Sequence, residues 1–491
     1  MRLRTRHPWA LACLTVATMV LAVAAQSQAQ SPLPTVLDSK LAVREATPPL
    51  ALPTSMAFLG PSSMLVLEKD SGQVKHIVNG AVQGTALDLA VNSASERGLL
   101  GIALHPRFAT NGFVYLYWTE STTGADSAVL SDVDLLGNRV DRFHWNGSSL
   151  TFDSNLIRLR ALQEDANQPA RGNHDGGVLR FGPDGKLYVV IGDVGRRGQL
   201  QNLRDGPFGP GQDDDQFGGP EPDNAHLTGV ILRLNDDGST PTDNPFFAAG
   251  ASMGGEVGPN VQKIFSYGLR NSFGMAFDPV SGLLWEQENG DDSFSELNIA
   301  EPGFNSGWIQ IMGPPERIGQ YKSIETDRTA PQPFAPNGYF GLQQVRWSPE
   351  NIADSPEEAL ARLFMLPGAR YSAPEFSWKF EVAPGGIGFL ASRALGPQYR
   401  NDLFVGGARP FLEGGHLFRL NLTGNRRSIG VDDPRLEDRV ADNLHKWEIT
   451  ESESLLFGRN FGVVTDIQTG PNGNLYLISL SNGVVYEIFR K

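Results

Sequence analysis

A histidine and an aspartate lie at the two ends of one short stretch of the sequence, residues 173–195. His174 precedes an alternating apolar run, and Asp193 follows a second apolar run that ends at Ile191. The turn sequence at residues 182–185, Gly-Pro-Asp-Gly, separates the two runs and predicts a β-hairpin. A hairpin returns to the edge that it left, so we expect His174 and Asp193 to lie close together. A carboxylate beside an imidazole fixes its tautomer and raises its basicity, as a general base requires.

Two further groups of residues could act on a substrate or hold a cofactor. Arg270 and Asn271 follow Gly268 at a predicted strand end, where a guanidinium and an amide suit a carboxylate or a carbonyl oxygen. The acidic stretch 286–292, with Glu296 beyond it, offers only oxygen ligands, which suit a hard cation such as calcium. Its spacing does not fit an EF-hand loop, so its ligands would include main-chain carbonyls.

Each of these groups also has a purely structural interpretation. His174 could be a polar residue at the mouth of a hairpin, Arg270 could stabilise its own sheet, and an acidic loop is more often solvated than liganded. The acidic run 213–215 is typical of a surface loop, and His105 before Pro106 is typical of a turn. No zinc-spaced His/Cys set, P-loop, GxGxxG or Ser-His-Asp signature stands out in the sequence.

The hairpin pattern that contains His174 occurs six times along the chain. Each copy is an apolar strand, a turn, and a second apolar strand, and the copies begin near residues 57, 103, 173, 275, 389 and 466. A third strand pattern follows several copies, at 73–77, 230–234, 416–422 and 484–489. These irregularly spaced modules predict an all-β, six-bladed β-propeller with four-stranded antiparallel blades around a central channel. A β-sandwich with many hairpins is the alternative.

Large loop insertions interrupt the repeats near residues 199–227, 316–372 and 426–460. Long insertions in a compact fold usually carry binding surface or a lid. Within the second insertion, Ser355-Pro356-Glu357-Glu358 predicts a short helix that runs to about Phe364. Ser355 would be the N-cap, Pro356 would occupy the first helical position, and Glu358 would complete a capping box.

The bulk composition fits a turn-rich β protein. The 491 residues include 55 glycines and 33 prolines, and 40% hydrophobic residues are enough to fill a core. A single large domain, or two to three average ones, would account for this length. The formal net charge of −14 argues against nucleic acid or an anionic membrane surface as a partner.

The first 29 residues have the pattern of a secretory signal peptide. Three early arginines precede a short apolar run at 9–25, and Ser27-Gln28-Ala29 is a suitable cleavage site. The run is too short for a transmembrane helix, and no other stretch could span a bilayer. Cys13, the only cysteine, lies within this segment, so the mature chain would have no disulfide. We expect residues 30–491 to form a single periplasmic or secreted propeller domain.

Four segments of the chain resemble the glucose/sorbosone dehydrogenase family. They are residues 96–106, the hairpin of His174, residues 267–279, and residues 288–308. Their order and spacing carry the resemblance, which runs with gaps from about Pro53 to the C-terminus. The best-known members are soluble quinoprotein glucose and aldose-sugar dehydrogenases. The resemblance implies a six-bladed propeller that oxidises an aldose at C1 to the lactone, using pyrroloquinoline quinone (PQQ) and calcium. An acceptor such as a quinone, a cytochrome or a dye would take the electrons.

The same resemblance implies roles for individual residues. His174 would take the proton of the sugar C1 hydroxyl, and Asp193 would orient this histidine. Arg270 and Asn271 would contact the quinone, and Arg270 would stabilise its developing negative charge. Glu96 stands where the glucose dehydrogenases have a glutamine, so we place it among the cofactor-binding residues.

The implied metal site and the remaining cofactor contacts are less regular. Main-chain carbonyls at Gly290 and Asp291 would hold the calcium, and Glu296 matches a family glutamate in a calcium-associated loop. The glucose dehydrogenases carry a lysine for the PQQ carboxylates, and this chain has none at residues 383–392. Arg409 is the substitute that the sequence offers.

Two other functions remain open at this point. The family also contains propeller domains that bind proteins, as in hedgehog-interacting proteins, so a non-catalytic propeller that binds carbohydrate or protein is one alternative. A calcium-dependent lactonase is the other, because propellers support that chemistry too, and fold alone does not separate these functions. The number of cations around the presumed quinone discriminates between a dehydrogenase and a binding protein.

Overall fold

The computed structural model describes residues 33–162, 172–195, 227–327, 349–407 and 414–491. The chain separates into two compact units, Met1–Leu33 and Pro34–Lys491. The second unit contains every helix and strand of the described residues. The predicted signal peptide and the acidic run 213–215 lie outside the described residues, as does Arg409.

Short strands make up most of the second unit, and we number them in chain order. The strands of the N-terminal half are β1 (Thr35–Val36), β2 (Leu41–Glu45), β3 (Pro53–Gly60), β4 (Ser63–Glu68), β5 (Gln73–Val78), β6 (Ala81–Asp88), β7 (Leu99–Leu104), β8 (Phe113–Thr119), β9 (Asn138–Trp145), β10 (Leu150–Leu159), β11 (Leu179–Phe181), β12 (Leu187–Ile191), β13 (Val230–Leu234) and β14 (Ile264–Tyr267). The later strands are β15 (Gly274–Phe277), β16 (Leu284–Glu288), β17 (Ser293–Ala300), β18 (Phe304–Asn305), β19 (Arg370–Tyr371), β20 (Phe376–Phe380), β21 (Pro384–Phe389), β22 (Leu403–Gly407), β23 (Leu417–Leu422), β24 (Ile429–Gly430), β25 (Val440–Ala441), β26 (Leu456–Arg459), β27 (Val464–Thr469), β28 (Leu475–Ser479) and β29 (Val484–Arg490).

These strands form six small sheets, which follow one another along the chain. Sheets 1 and 2 are β3–β6 and β7–β10, and sheet 3 is β11–β14 with β18 and β19. Sheet 4 contains β15–β17, β20 and β25, and sheet 5 contains β21–β23 with β26 and β1, β24 pairing with β23. Sheet 6 is β27–β29 with β2. The first strand of each sheet contacts the first strand of the next, and β27 of sheet 6 contacts β3 of sheet 1. This ring of small sheets is a propeller-like, all-β arrangement.

The first two strands of each sheet are one of the six hairpins that the sequence repeats predict. In sheet 3, Leu179 pairs with Val189 and Phe181 with Leu187. The turn between them closes with a hydrogen bond from the Gly185 main-chain N–H to the Gly182 carbonyl, at 2.9 Å. Gly185 has a φ of +74°, which glycine adopts at no steric cost. All five residues of β12 are buried, so the hairpin belongs to the core rather than to the surface.

The prediction of four-stranded antiparallel blades is only partly right. Sheets 1, 2 and 6 have four strands, whereas sheets 3, 4 and 5 carry additional short strands at their outer edges. Some of these additions are parallel: β14 pairs with β18, and β20 pairs with β25. Apart from β1, the added strands come from the long connections. Their main-chain groups pair with a sheet edge that would otherwise be open. Strand β2 pairs antiparallel with β29, so a strand from the N-terminal part of the unit completes sheet 6.

Helices are short and lie in the connections. They are α1 (Phe108–Asn111), α2 (Phe247–Ala251), α3 (Val257–Val261), α4 (Ile318–Glu325) and α5 (Pro356–Arg362), with 3-10 turns at Pro315–Arg317, Pro349–Asn351, Pro397–Tyr399, Pro434–Leu436 and Ser452–Leu455. The prediction of α5 is confirmed. Ser355 Oγ accepts the Glu358 main-chain N–H at 3.2 Å, but the Glu358 carboxylate accepts from Asp354 rather than from Ser355. None of the helices in the described ranges is long and apolar enough to cross a membrane.

Candidate functional site

The hairpin of sheet 3 brings His174 and Asp193 into contact. His174 Nδ1 lies 2.5 Å from Asp193 Oδ1, and both residues are buried. The second oxygen of Asp193 accepts the Trp308 indole N–H at 3.0 Å. Burial alone would raise the pKa of Asp193, but its interactions with His174 and Arg270 hold that pKa below the usual range. An ionised carboxylate at Nδ1 places the ring proton there and leaves Nε2 as the basic nitrogen.

Glu96 connects this histidine to the next group of residues. Its Oε2 accepts the main-chain N–H of His174 at 2.5 Å and lies 3.5 Å from Asn271 Nδ2. His174 has a φ of +64°, an uncommon conformation for a residue with a side chain. The bond to Glu96 holds the histidine main chain in this conformation, so Glu96 positions the imidazole as well as lining the site.

Arg270 and Asn271 follow β14 and lie beside the histidine pair. The guanidinium of Arg270 donates from Nη1 to the Asn289 carbonyl at 3.0 Å and from Nη2 to Asp291 Oδ1 at 2.8 Å. Burial would lower the pKa of Arg270, but Asp291 and Asp193 raise it, so the group is a permanent cation. Oδ1 of Asn271 is buried and has no hydrogen-bond partner within the described residues. A buried amide oxygen in this state is expected to bond a ligand or a water.

The predicted acidic loop is shorter in the structure than in the sequence prediction. Residues 286–288 belong to β16 and only residues 289–292 form the turn to β17. Gly290 is essential there because a Cβ would lie 1.9 Å from the Ser293 carbonyl oxygen. Helix α4, in the second insertion, supports the loop from behind, since Glu325 Oε1 accepts the main-chain N–H groups of Asp292 and Ser293, each at 3.0 Å.

Glu296 lies on β17, whereas Gly290 and Asp291 lie on the turn that precedes this strand. Glu296 is directly opposite Glu288, inside sheet 4, where its carboxylate accepts the Gly313 main-chain N–H and the Asn298 amide. Burial raises the pKa of Glu296 to about 7. No group of three His, Cys, Asp or Glu side chains in the described residues is arranged to hold a metal ion.

A lysine that the sequence analysis missed completes the site. Lys446 belongs to the third insertion, 426–460, and its side chain is buried. Its ammonium donates to the Asp291 carbonyl oxygen at 3.1 Å and to Asp292 Oδ1 at 2.6 Å. The neighbouring Trp447 anchors this segment, since its indole N–H donates to Glu381 Oε2 at 2.6 Å. No sequence pattern around Lys446 marks it as a site residue; only its place in a long insertion does.

One cavity of about 510 Å³ joins these residues. His174, Glu96, Asn271, Gly290 and Asp291 line it, as do three cationic side chains, Lys69, Arg270 and Lys446. Glu381 lines it as well, so three carboxylates face three cations. The size is that of a small-molecule or cofactor site. The arrangement offers a supported base, a fixed guanidinium and an unpartnered amide oxygen around one volume.

Comparison with known proteins identifies the family. The model of the glucose/sorbosone dehydrogenase family matches residues 50–340. The chain belongs to this family. Aldose sugar dehydrogenase YliI of Escherichia coli is 25% identical over 431 residues, which cover 87% of this chain and 86% of that protein. Quinoprotein glucose dehydrogenase B of Acinetobacter calcoaceticus is 31% identical over 286 residues, 56% of this chain and 53% of that protein.

A solved structure supports the fold. The PQQ-bound form of an aldose sugar dehydrogenase from Streptomyces coelicolor superposes with a TM-score of 0.54, at 22% identity, and covers 94% of this chain and all of that one. This likeness supports the propeller-like arrangement of sheets. The fold and the family membership agree with the resemblance that the sequence motifs carry.

The residues around the cavity fit a quinone with carboxylate groups. Arg270, Lys446 and Lys69 supply positive charge, and Asn271 Oδ1 lacks a partner among the described residues. Each of these cations already bonds a carboxylate of the chain: Asp291, Asp292 and Asp70 respectively. An anionic ligand would therefore share these cations, and an added divalent cation would offset its charge. A main-chain carbonyl such as that of Asp291 is a suitable calcium ligand.

Proposed function

We propose that this protein is a six-bladed propeller that oxidises the C1 hydroxyl of an aldose to the lactone, with PQQ and calcium, and passes the electrons to an acceptor. The observation that carries the proposal is that His174, which contacts Asp193, lines one cavity together with Arg270, in a chain that belongs to the glucose/sorbosone dehydrogenase family. The six sheets support the blade number, one sheet to each blade.

The residues of the chain have distinct tasks in this proposal. PQQ, when bound, supplies the two-electron acceptor for the sugar. Nε2 of His174 takes the proton of the C1 hydroxyl, and Asp193 stabilises the imidazolium that forms. Arg270 provides fixed positive charge where negative charge develops. Because the guanidinium is buried, its electrostatic stabilisation of that charge is stronger than it would be in water. Glu96 holds the main chain of the histidine in place.

Three side chains and two main-chain oxygens would hold the cofactors. Arg270, Asn271 and Lys446 would bind PQQ, with Lys446 in the role of the lysine that residues 383–392 lack. The main-chain oxygens of Gly290 and Asp291 would hold calcium. Three carboxylates and three cations line the cavity, so its residues carry no excess of positive charge for an anionic quinone, which is the physical reason to include a divalent cation.

The proposed reaction is tested by product analysis. Purified protein would be loaded with PQQ and calcium chloride, given a panel of aldoses and an artificial electron acceptor, and its products separated by chromatography. The proposal expects one molecule of lactone for every two electrons that the acceptor takes up. Acceptor reduction without lactone formation, or no oxidation of any aldose by protein that has bound PQQ, would contradict it.

The location of the protein remains part of the proposal. We infer from the sequence pattern at residues 1–29 that a signal peptide directs the chain to the periplasm or the medium. N-terminal sequencing of the protein from its native host would test this. A start near residue 30 supports the inference, and an intact Met1 contradicts it.

A further inference from the structure

The Asp291 carbonyl oxygen has a cation beside it that the chain itself supplies. Lys446 Nζ lies 3.1 Å from this oxygen, and the same ammonium lies 2.6 Å from Asp292 Oδ1. Glu381 Oε2 is the third oxygen nearby, at 3.7 Å. All of these residues are buried, and Lys446 is only 1% exposed. The ammonium therefore occupies the environment that a metal ion at this carbonyl would need.

Two cations cannot share this environment without a penalty. An ammonium and a divalent ion on the same carbonyl oxygen repel each other, and the repulsion is strong because burial leaves little water to screen it. Lys446 has other acceptors, however. If it releases the Asp291 oxygen, its ion pair with Asp292 and the nearby Glu381 carboxylate still compensate its charge. The site can thus change between an ammonium-bound and a metal-bound state at the cost of one hydrogen bond.

We propose that the Lys446 ammonium and a divalent cation compete for the main-chain oxygen of Asp291, so that Lys446 sets the calcium affinity of this protein. The choice of calcium rests on the proposed function, whereas the competition rests on the contacts of Lys446. The lysine is a positioning residue in this role. It lowers the affinity of the metal site and makes occupancy depend on the calcium concentration of the surroundings.

Isothermal titration of cofactor-free protein with calcium chloride tests the competition directly. The variant Lys446→Met keeps the length of the side chain and removes its charge. The matched control is Lys69→Met, because Lys69 lines the same cavity but bonds Asp70 and the Ser93 carbonyl instead. We expect Lys446→Met to bind calcium at least about tenfold more tightly than the wild type, as relief of a close like-charge contact allows. Lys69→Met should stay within about twofold.

A second variant, Lys446→Gln, keeps the test valid if Lys446→Met does not fold. Removal of the ammonium leaves Asp292 and Glu381 without their cation, which could destabilise the protein. Lys446→Gln retains a donor for the carbonyl oxygen and should show a smaller increase in calcium affinity, in the same direction. Circular dichroism and the melting temperature would establish that each variant is folded.

The outcomes separate this inference from the proposed function. Equal or weaker calcium binding by folded Lys446→Met or Lys446→Gln would overturn the competition. An equal gain for Lys69→Met would also overturn it, because a general charge effect of the cavity would then explain the result. Tighter calcium binding by Lys446→Met in a protein that oxidises no sugar would refute the proposed function and leave the competition standing.

Discussion

Two groups of buried carboxylates lie close together in this molecule and have opposite surroundings. The ion-paired carboxylates of the site are Asp193, Asp291 and Asp292, each beside a basic side chain: His174, Arg270 and Lys446 respectively. The sheet carboxylates are Glu286, Glu288 and Glu296, inside sheet 4, and they accept hydrogen bonds from neutral donors, such as the amide of Asn298 and the hydroxyl of Ser306.

The difference in partners appears in the pKa values of Asp193 and of the sheet glutamates. Burial and the neighbouring Glu296 raise the pKa of Glu286 to about 8, and the pKa of Glu288 lies well above its usual value for the same reason. Asp193 is equally buried, yet its pKa is lowered, because a basic partner outweighs the cost of burial. We conclude that burial alone does not identify a functional carboxylate. A basic partner is what keeps a buried carboxylate ionised, as the proposed role of Asp193 requires.

The largest effect is expected at the base itself. His174→Ala should lower kcat by about 100- to 10,000-fold, since a general base acts in the transition state. The affinity for PQQ should change by less than about threefold, because the imidazole contributes little to ground-state binding. Steady-state kinetics and an absorbance titration with PQQ measure the two quantities. His144→Ala, at an exposed position on β9, is the control and should behave like the wild type. Loss of PQQ binding by a folded His174→Ala protein would show that the assigned role is wrong.

The next effect tests the partner of the base. Asp193→Asn should lower kcat on the order of 100-fold, because an amide can donate to Nδ1 and so places the ring proton on the wrong nitrogen. Glu286→Gln makes the same acid-to-amide change in the sheet group, away from the cavity lining. It should leave kcat within about twofold. Similar losses of kcat in both variants would remove the distinction between the two groups.

Replacement of the acid by its amide should have different effects on stability in the two groups of carboxylates. Asp291→Asn leaves the buried Arg270 guanidinium without its carboxylate and should lower the free energy of unfolding by about 2–4 kcal/mol. Glu296→Gln resembles the protonated side chain that is already present and should change this free energy by less than about 1 kcal/mol at pH 5. Urea unfolding at pH 5 provides the comparison. A larger loss for Glu296→Gln would mean that the sheet group is ionised.

The smallest effect depends on pH. A folded-state pKa of about 8 for Glu286, above its value in the unfolded chain, stabilises the protein at low pH. This contribution is lost as the pH rises through the folded pKa. The glutamine of Glu286→Gln does not ionise, so the variant avoids this loss of stability. Its free energy of unfolding should match that of the wild type at pH 5 and exceed it by about 1 kcal/mol or more at pH 8. Unfolding curves across this range are the measurement, and a gain that does not grow with pH would contradict the assignment.

Local patterns in the sequence predicted much of the fold and the contact between His174 and Asp193. The six hairpins and helix α5 follow from turn residues, strand alternation and a capping sequence, all of which act over a few residues. His174 and Asp193 are 19 positions apart and meet for the same reason: the turn at 182–185 fixes the register of one hairpin. Arg270 and Asn271 line the same cavity as His174, and the contact with the quinone that the resemblance implies for them stays a prediction.

Two features of the site depend on more than local patterns. The resemblance implies that Glu296 belongs to a calcium-associated loop, and the structure places it opposite Glu288 on β17, whereas Gly290 and Asp291 lie on the turn before this strand. Lys446 was missed because it is 155 positions from Asp291, and its segment is held in place by tertiary contacts such as that between Trp447 and Glu381. Contacts of such long range depend on tertiary packing, which no local pattern encodes.

The central claim is that the cavity binds PQQ and that His174 acts there on an aldose. Titration of the purified protein with PQQ in the presence of calcium, followed by addition of aldose and read by absorbance, tests it most directly. The account predicts one PQQ bound for each chain and a sugar-dependent change to the spectrum of the reduced quinone, absent in His174→Ala. Folded, calcium-loaded protein that binds no PQQ at micromolar concentrations would contradict it. The propeller would then be better explained as a binding protein.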